Sequence, residues 1–236
     1  MQAAAIMARM PVPGQVKTRL VPPLTHLAAA RLYTGFLRDT IDRLARINGV
    51  HLFVAYTPPA AEGFFSGIVP PGFSTLPQAG EDLGERLVNI SEALFSRGAT
   101  AVVLCDSDSS TLPGRYIGEA FRRLNEADVV IGPCDDGGYY LIGMRRHTPR
   151  LFAGIPWSSA RVTQRTVEAA GRLDLSVSLL KPWYDVDTAA DLDRLCREVA
   201  ASPEDDAFAR HTRRALVEIG LLPQARSVGR TAQCRT

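Results

Sequence analysis

The sequence contains no run of 18 uninterrupted apolar residues, the minimum expected of a helix that crosses a bilayer. Its apolar start, from Met1 to Ala8, has no charged leader and runs straight into Arg9, so it reads as a strand and not as a signal peptide. Excess charge is missing as well. The 27 basic and 25 acidic side chains nearly cancel, leaving no global field that would favour nucleic acid or an anionic membrane. These absences predict a soluble, cytoplasmic protein with neither kind of partner.

Cysteine is sparse and dispersed. Cys105, Cys134, Cys196 and Cys234 form no Cys-x-x-Cys pair and have no histidine nearby at zinc spacing. Cys105 and Cys134 close apolar runs, where a reduced thiol serves as a small hydrophobe, so structural thiols are expected. The histidines are scattered too, with His26 at a predicted helix start and His51 at a strand start, both read as surface residues. There is no internal repeat and no low-complexity segment.

What is present is 236 residues, 46% of them hydrophobic, enough for a large core. Short apolar strands are expected over 2–8, 51–56, 100–105, 128–132, 139–143 and 175–180. Amphipathic helices alternate with them over 25–47, 82–97, 113–125, 160–173 and 188–200. Thr25 caps the first helix, and Ala30, Tyr33, Leu37, Ile41 and Leu44 fall on its apolar spacing. Leu83, Leu87, Ile90 and Leu94 share a face of the second, which Gly98 ends. Residues 1–200 are expected to form one domain. Residues 201–236 are expected to add a helix over 203–220 and a tail with Arg226, Arg230 and Arg235. The β-α alternation predicts an α/β fold, an open, mostly parallel sheet with helices on both faces, which binds ligands at the carboxyl ends of its strands.

Each polar cluster follows a predicted strand. The apolar run from Thr100 to Cys105 ends in Asp106 and Asp108, and Mg²⁺ bound to a diphosphate needs one or two such carboxylates. Arg9, Gly14, Lys17 and Arg19 follow the first strand in a loop stiffened by Pro11 and Pro13; the cations suit phosphate oxygens, and Gly14 allows close backbone approach. The segment from Gln78 to Arg86 turns into a helix whose N-terminus can accept an anion, although capping by Asp82 explains it equally well. Asp136, Gly137 and Gly138 lie between two strands, where Asp136 can bind a hydroxyl or act as a base, or a plain hairpin turn suffices. Asp185 and Asp187 precede Thr188 at a helix start, where one can point inward while Thr188 caps.

These motifs recur together in one order: Pro-x-Pro-Gly-x-x-Lys-Thr-Arg-Leu, Asp-Leu-Gly-Glu-Arg, Ser-Asp, Asp-Gly-Gly-Tyr-Tyr-Leu-Ile-Gly, Pro-Trp-Ser-Ser and Asp-Val-Asp-Thr-x-x-Asp-Leu. The set resembles the DUF2064 family of bacterial GT-A-like transferases, of the nucleotide-diphospho-sugar transferase superfamily and often labelled arsenosugar-associated glycosyltransferases. More distantly, the Lys-Thr-Arg-Leu loop is similar to that of phospholactate guanylyltransferases. The resemblance implies a Rossmann-like GT-A fold that binds a nucleotide or nucleotide-sugar, a small acceptor and Mg²⁺ or Mn²⁺. It places Gly14, Lys17 and Arg19 at the nucleotide phosphates and Asp108 and Asp187 on the metal; Arg9, Thr18, Gly84 and Arg86 are expected beside the nucleotide with them, and Asp106 on the metal beside Asp108. Asp136, Gly137, Gly138 and Trp157 fall at the acceptor or sugar, with Asp136 and Lys17 in catalytic roles. Two departures stand out: Arg9 replaces the usual lysine, and Asp106-Ser-Asp-Ser-Ser110 replaces Gly-Ser-Asp-Cys-Pro. Three functions are compatible with this pattern: glycosyl transfer, nucleotidyl transfer with release of pyrophosphate, and nucleotide binding without turnover.

Overall fold

Strand β4 (Ala101–Cys105) is buried at every position, as a continuous apolar run must be when both faces of a sheet are covered. Around it lie β1 (Gln2–Arg9), β2 (Val50–Thr57), β3 (Phe73–Pro77), β5 (Val129–Pro133), β6 (Tyr139–Met144) and β7 (Val177–Leu179). The computed structural model describes residues 1–203 and 208–223, and joins these strands into one sheet in the order β3-β2-β1-β4-β6-β5-β7. All neighbours are parallel except β6, which runs antiparallel to β4 and β5. The open, mostly parallel α/β sheet expected from the alternation is therefore present.

Helices α1 (His26–Leu44), α2 (Glu62–Ile68) and α4 (Arg115–Arg123) cover one face. Helices α3 (Leu83–Ser96) and α5 (Val162–Arg172) cover the other. Helix α1 is buried on two sides. Leu37, Ile41 and Leu44 face the sheet, while Leu32 and Phe36 pack with α6 (Ala189–Ala201) and α7 (Arg210–Glu218). Thr25 caps α1 by accepting the Ala28 N–H at 3.1 Å. Val16 and Leu20 of the loop after β1 sit in this same cluster, 5% and 0% exposed, so apolar burial fixes that loop at two points.

Several boundaries differ from the pattern-based expectation. Leu83 is 43% exposed, because it opens the first turn of α3 rather than joining its apolar face. Strand β3 and helix α2 carry weak periodicity; only Leu76 of β3 is buried at this sheet edge. The final helix begins at Arg210, after Ala209 in a left-handed turn. It lies against α1, where Asp39 accepts the His211 and Thr212 N–H groups at 2.9 and 2.8 Å. Gly35 permits this approach, since a Cβ there would lie 2.9 Å from the His211 carbonyl. Cys234, Arg226, Arg230 and Arg235 lie outside the described residues. No helix among the described residues is long and apolar enough to cross a membrane.

Candidate functional site

The chain runs from β1 outward to β2 and β3, then returns to place β4 on the other side of β1. At such a reversal the two sets of loops diverge and leave a crevice beyond the strand ends. A cleft of about 830 Å³ lies there, lined by Ala8 and Arg9 of β1 and by the segment from Asp106 to Asp108 that follows β4. The first loop, the β5–β6 turn and the segment before α6 complete its walls.

Lys17 sits between the two anchored residues of the first loop, at φ 49°. Its ammonium donates to Asp187 Oδ1 at 2.8 Å and lies 3.2 Å from Asp108 Oδ2, with the side chain only 4% exposed. Burial works against the charged form of Lys17, but Asp108 and Asp187 outweigh it and hold the pKa above the ordinary lysine range. Asp187 is half-buried, which disfavours its charge, yet Lys17 and Arg19 draw it below the usual carboxylate range. Arg19 is a looser partner, 3.6 Å from Asp187 and 69% exposed. Asp106 is pushed well above the carboxylate range by burial and by Asp108, although it accepts the Ser109 hydroxyl at 2.8 Å.

A hydrogen-bonded network backs this cluster. The Tyr33 hydroxyl shares a 2.8 Å hydrogen bond with Ser107 Oγ and accepts the Arg9 N–H at 2.9 Å. Ser107 also donates to the Met7 carbonyl at 3.1 Å, and Gln78 donates to the carbonyls of Ala8 and Ala55 at 3.1 and 2.7 Å. Ser107, the serine shared with the usual Gly-Ser-Asp-Cys-Pro, thus ties the segment to β1 and α1, whereas Ser110, which stands in place of the proline, has a buried hydroxyl with no partner among the described residues.

The opposite wall is local. Asp136 is exposed and accepts the Gly138 N–H at 2.8 Å, an Asx turn. Gly137 adopts φ +91°, and a Cβ there would lie 2.1 Å from the Ala160 carbonyl oxygen, so the approach of the segment leading into α5 excludes any other residue. Trp157 meets Tyr139 edge-on at 6.3 Å, and both line the cleft. Cys134, a buried free cysteine, also borders it, its thiol pushed up by burial and by Asp106 and Asp185.

Arg9, Lys17, Thr18, Arg19, Arg86, Asp106, Asp108, Asp136, Gly138, Trp157 and Asp187 all line this one cleft. Gly14, Gly84 and Gly137 do not. Gly14 supplies a left-handed turn at φ +81°, while Gly84 is a packing glycine whose added Cβ would lie 2.7 Å from Trp157 Nε1. Arg86 is engaged by its own loop, donating to the Gly80 carbonyl at 3.0 Å, and Asp82 caps α3 by accepting the Glu85 N–H at 2.8 Å. Asp106, Asp108 and Asp187 do not bring their oxygens within 4.8 Å of one another as a set; Cys134, Asp136 and Asp185 do. The reason is visible in the contacts: Lys17 lies between Asp108 and Asp187, while Ser109 holds Asp106. Asp185 lines the cleft beside Asp187 and is pushed up to about 6 by burial, Asp187 and Asp136. Tyr33 escaped sequence reasoning because helical spacing reveals its ring and not its hydroxyl. Ser107 and Gln78 did carry a signal, since both stand inside motifs already singled out.

A family model described as an uncharacterised protein conserved in bacteria, DUF2064, matches residues 40–159. A solved structure from Desulfovibrio desulfuricans G20, provisionally described as a nucleotide-diphospho-sugar transferase, is 35% identical, covering 93% of this chain and 97% of its own with a TM-score of 0.84. The fold is shared with 4-diphosphocytidyl-2C-methyl-D-erythritol synthase of Anaerococcus prevotii DSM 20548, at 12% identity over 84% of this chain and 96% of that one, TM-score 0.57. It is shared too with CMP:2-keto-3-deoxy-manno-octonic acid synthetase complexed with CTP, at 14% identity over 85% and 99%, TM-score 0.55. Comparison with curated proteins gives no match. The chain belongs to the DUF2064 family, among the transferases of this Rossmann-like fold.

Proposed function

We propose that this protein is a metal-dependent transferase that binds a nucleotide donor in the crevice between β1 and β4, and that it moves a sugar from a nucleoside diphosphate sugar to a small acceptor. The observation that carries the reading is the charge cluster at the switch point: Lys17 on Asp108 and Asp187, with Arg9 and Arg19 beside it. Lys17, Arg19 and Arg9 supply charge-assisted hydrogen bonds to the diphosphate, and Gly14 and Thr18 shape the loop around it.

The carboxylates fit a divalent ion. Asp108 Oδ1 is buried with no hydrogen-bond partner among the described residues, an open acceptor of the kind a hard cation satisfies. Asp108 and Asp187, with Asp106 adjoining, would hold Mg²⁺ or Mn²⁺, which when bound neutralises charge growing on the leaving phosphate. On the opposite wall, Trp157 and Tyr139 offer an apolar face to a sugar, Gly138 leaves room beside the backbone, and Asp136 takes the acceptor's proton.

A second reading is nucleotidyl transfer, favoured by the three cations of the first strand end and loop. Lys17 and Arg19 then clamp the pyrophosphate of an NTP while a phosphate-bearing acceptor attacks the α-phosphate. Incubation with Mg²⁺ and either NDP-sugars or NTPs plus phosphorylated acceptors separates the readings. Acceptor-dependent release of NDP is the expected result, and release of pyrophosphate moves the assignment to nucleotidyl transfer. Nucleotide binding with neither product would make the protein a binder without turnover.

A further inference from the structure

Only two of the chain's 27 basic residues are lysines, Lys17 and Lys181. Lys181 is exposed, whereas Lys17 is buried in the cleft between two carboxylates. A compact ammonium on a flexible stem is a point charge whose rotatable donors can turn from one set of oxygens to another, where a guanidinium presents a rigid planar fork. We infer that Lys17 is a built-in counter-ion that keeps the metal site shut until a phosphate group arrives and draws the ammonium away. This rests on the reading of Asp108 and Asp187 as metal ligands and assigns that site its order of assembly.

The geometry sets up a direct competition. Lys17 engages one oxygen of each aspartate, so a divalent ion on the same pair meets a like charge at contact distance in a site where water screens little. Withdrawing Lys17 with nothing in its place is also unfavourable, because it leaves Asp108 without a cation and Asp187 with only the looser Arg19. An exchange of partners satisfies every group: the divalent ion takes the aspartates, and the phosphate takes the ammonium. The backbone need not move for this, since Val16 and Leu20 remain anchored on either side. No carboxylate other than Asp108 and Asp187 lies within 4.0 Å of the ammonium among the described residues, so nothing else retains it. Metal and nucleotide therefore enter together, and neither binds well alone.

The test is Mn²⁺ titration of the nucleotide-free full chain, followed by electron paramagnetic resonance, for wild type, Lys17→Met and Lys17→Gln. Melting curves establish that each variant is folded. Both variants should bind Mn²⁺ about 10- to 100-fold more tightly than wild type, the ordinary span of coupling between two ligands, and adding Asp108→Asn should abolish the gain. Equal affinity in wild type and variants, still dependent on Asp108, would overturn the counter-ion role while leaving the metal site intact. No Mn²⁺ binding by any form, with or without nucleotide, would overturn the metal reading and this inference with it. Wild type supplies a check free of variants. Labelling with ¹⁵N-lysine yields two ammonium signals, and that of Lys17 should shift when Mg²⁺ and inorganic pyrophosphate are added together. A signal unmoved at saturation overturns the exchange.

Discussion

On the wall of the cleft built by β1, β4 and the first loop, polar groups satisfy one another over long stretches of chain: Lys17 and Asp187 are 170 residues apart, Tyr33 and Ser107 are 74. On the wall built by the β5–β6 turn, Asp136 closes its hydrogen bond with a residue two positions away. The first wall exists only once the whole sheet has formed, and its charges are coupled through Lys17. The second is a local turn, covered where Gly137 passes under Ala160 of the segment leading into α5. Substitutions on the coupled wall should therefore disturb binding, whereas those on the local wall should change turnover and leave the nucleotide in place.

The largest effect is expected at Asp108. A site that offers a hard cation only one or two carboxylates loses most of its affinity when one is removed, so Asp108→Ala should abolish metal-dependent nucleotide binding. Calorimetry with Mn²⁺ and nucleotide checks this, and wild-type affinity in the variant would break the metal assignment. Asp136→Asn comes next and probes the local wall. The amide oxygen can still accept the Gly138 N–H, so the turn should survive. Turnover should fall by a factor of about 10² to 10⁴, the usual contribution of a positioned general base, with nucleotide affinity nearly unchanged. Full activity would leave Asp136 as a turn residue, and lost affinity would move the turn to the donor side of the cleft.

The same contrast explains what the sequence made legible. Locally determined features were readable: β4 from its unbroken apolar run, the α1 cap from Thr25, and the hairpin from Asp136-Gly-Gly. Cleft membership of Lys17, Arg19, Asp108 and Asp187 was also readable, because the carboxyl ends of parallel strands converge at a reversal of strand order. Contacts made by tertiary packing were not. That Lys17 lies between Asp108 and Asp187 depends on three elements meeting, and no spacing encodes it. Gly84 was expected at the nucleotide, and the packing that demands its small size, Trp157 lying against it, has no trace in the local sequence. Strand β3 passed unnoticed, since an edge strand with one buried residue has almost no alternation to detect.

Lys17→Ala sharpens the comparison from the coupled side. Its side chain is 4% exposed, and a hydrogen bond to a charged group contributes about 1.5 to 3 kcal/mol, so nucleotide affinity in the presence of metal should fall by that amount. Comparing NTP with NDP-sugar by calorimetry adds the reaction type, since a loss confined to NTP favours nucleotidyl transfer.

The smallest effect is expected two residues further on. Arg19 carries the same charge on the same loop, but it is 69% exposed and meets Asp187 only at 3.6 Å, geometry that leaves an ion pair screened by water. Water screens an exposed charge more than a buried one, so Arg19→Ala should weaken nucleotide binding by less than Lys17→Ala does, and by less still as salt is raised. The informative quantity is the gap between the two variants, measured by calorimetry with one nucleotide at two ionic strengths. A salt-insensitive loss at Lys17 beside a small, salt-sensitive loss at Arg19 would place the coupling in the buried cluster. Equal losses at both positions would mean that the loop acts as a diffuse basic surface, and the distinction between the two walls would fail.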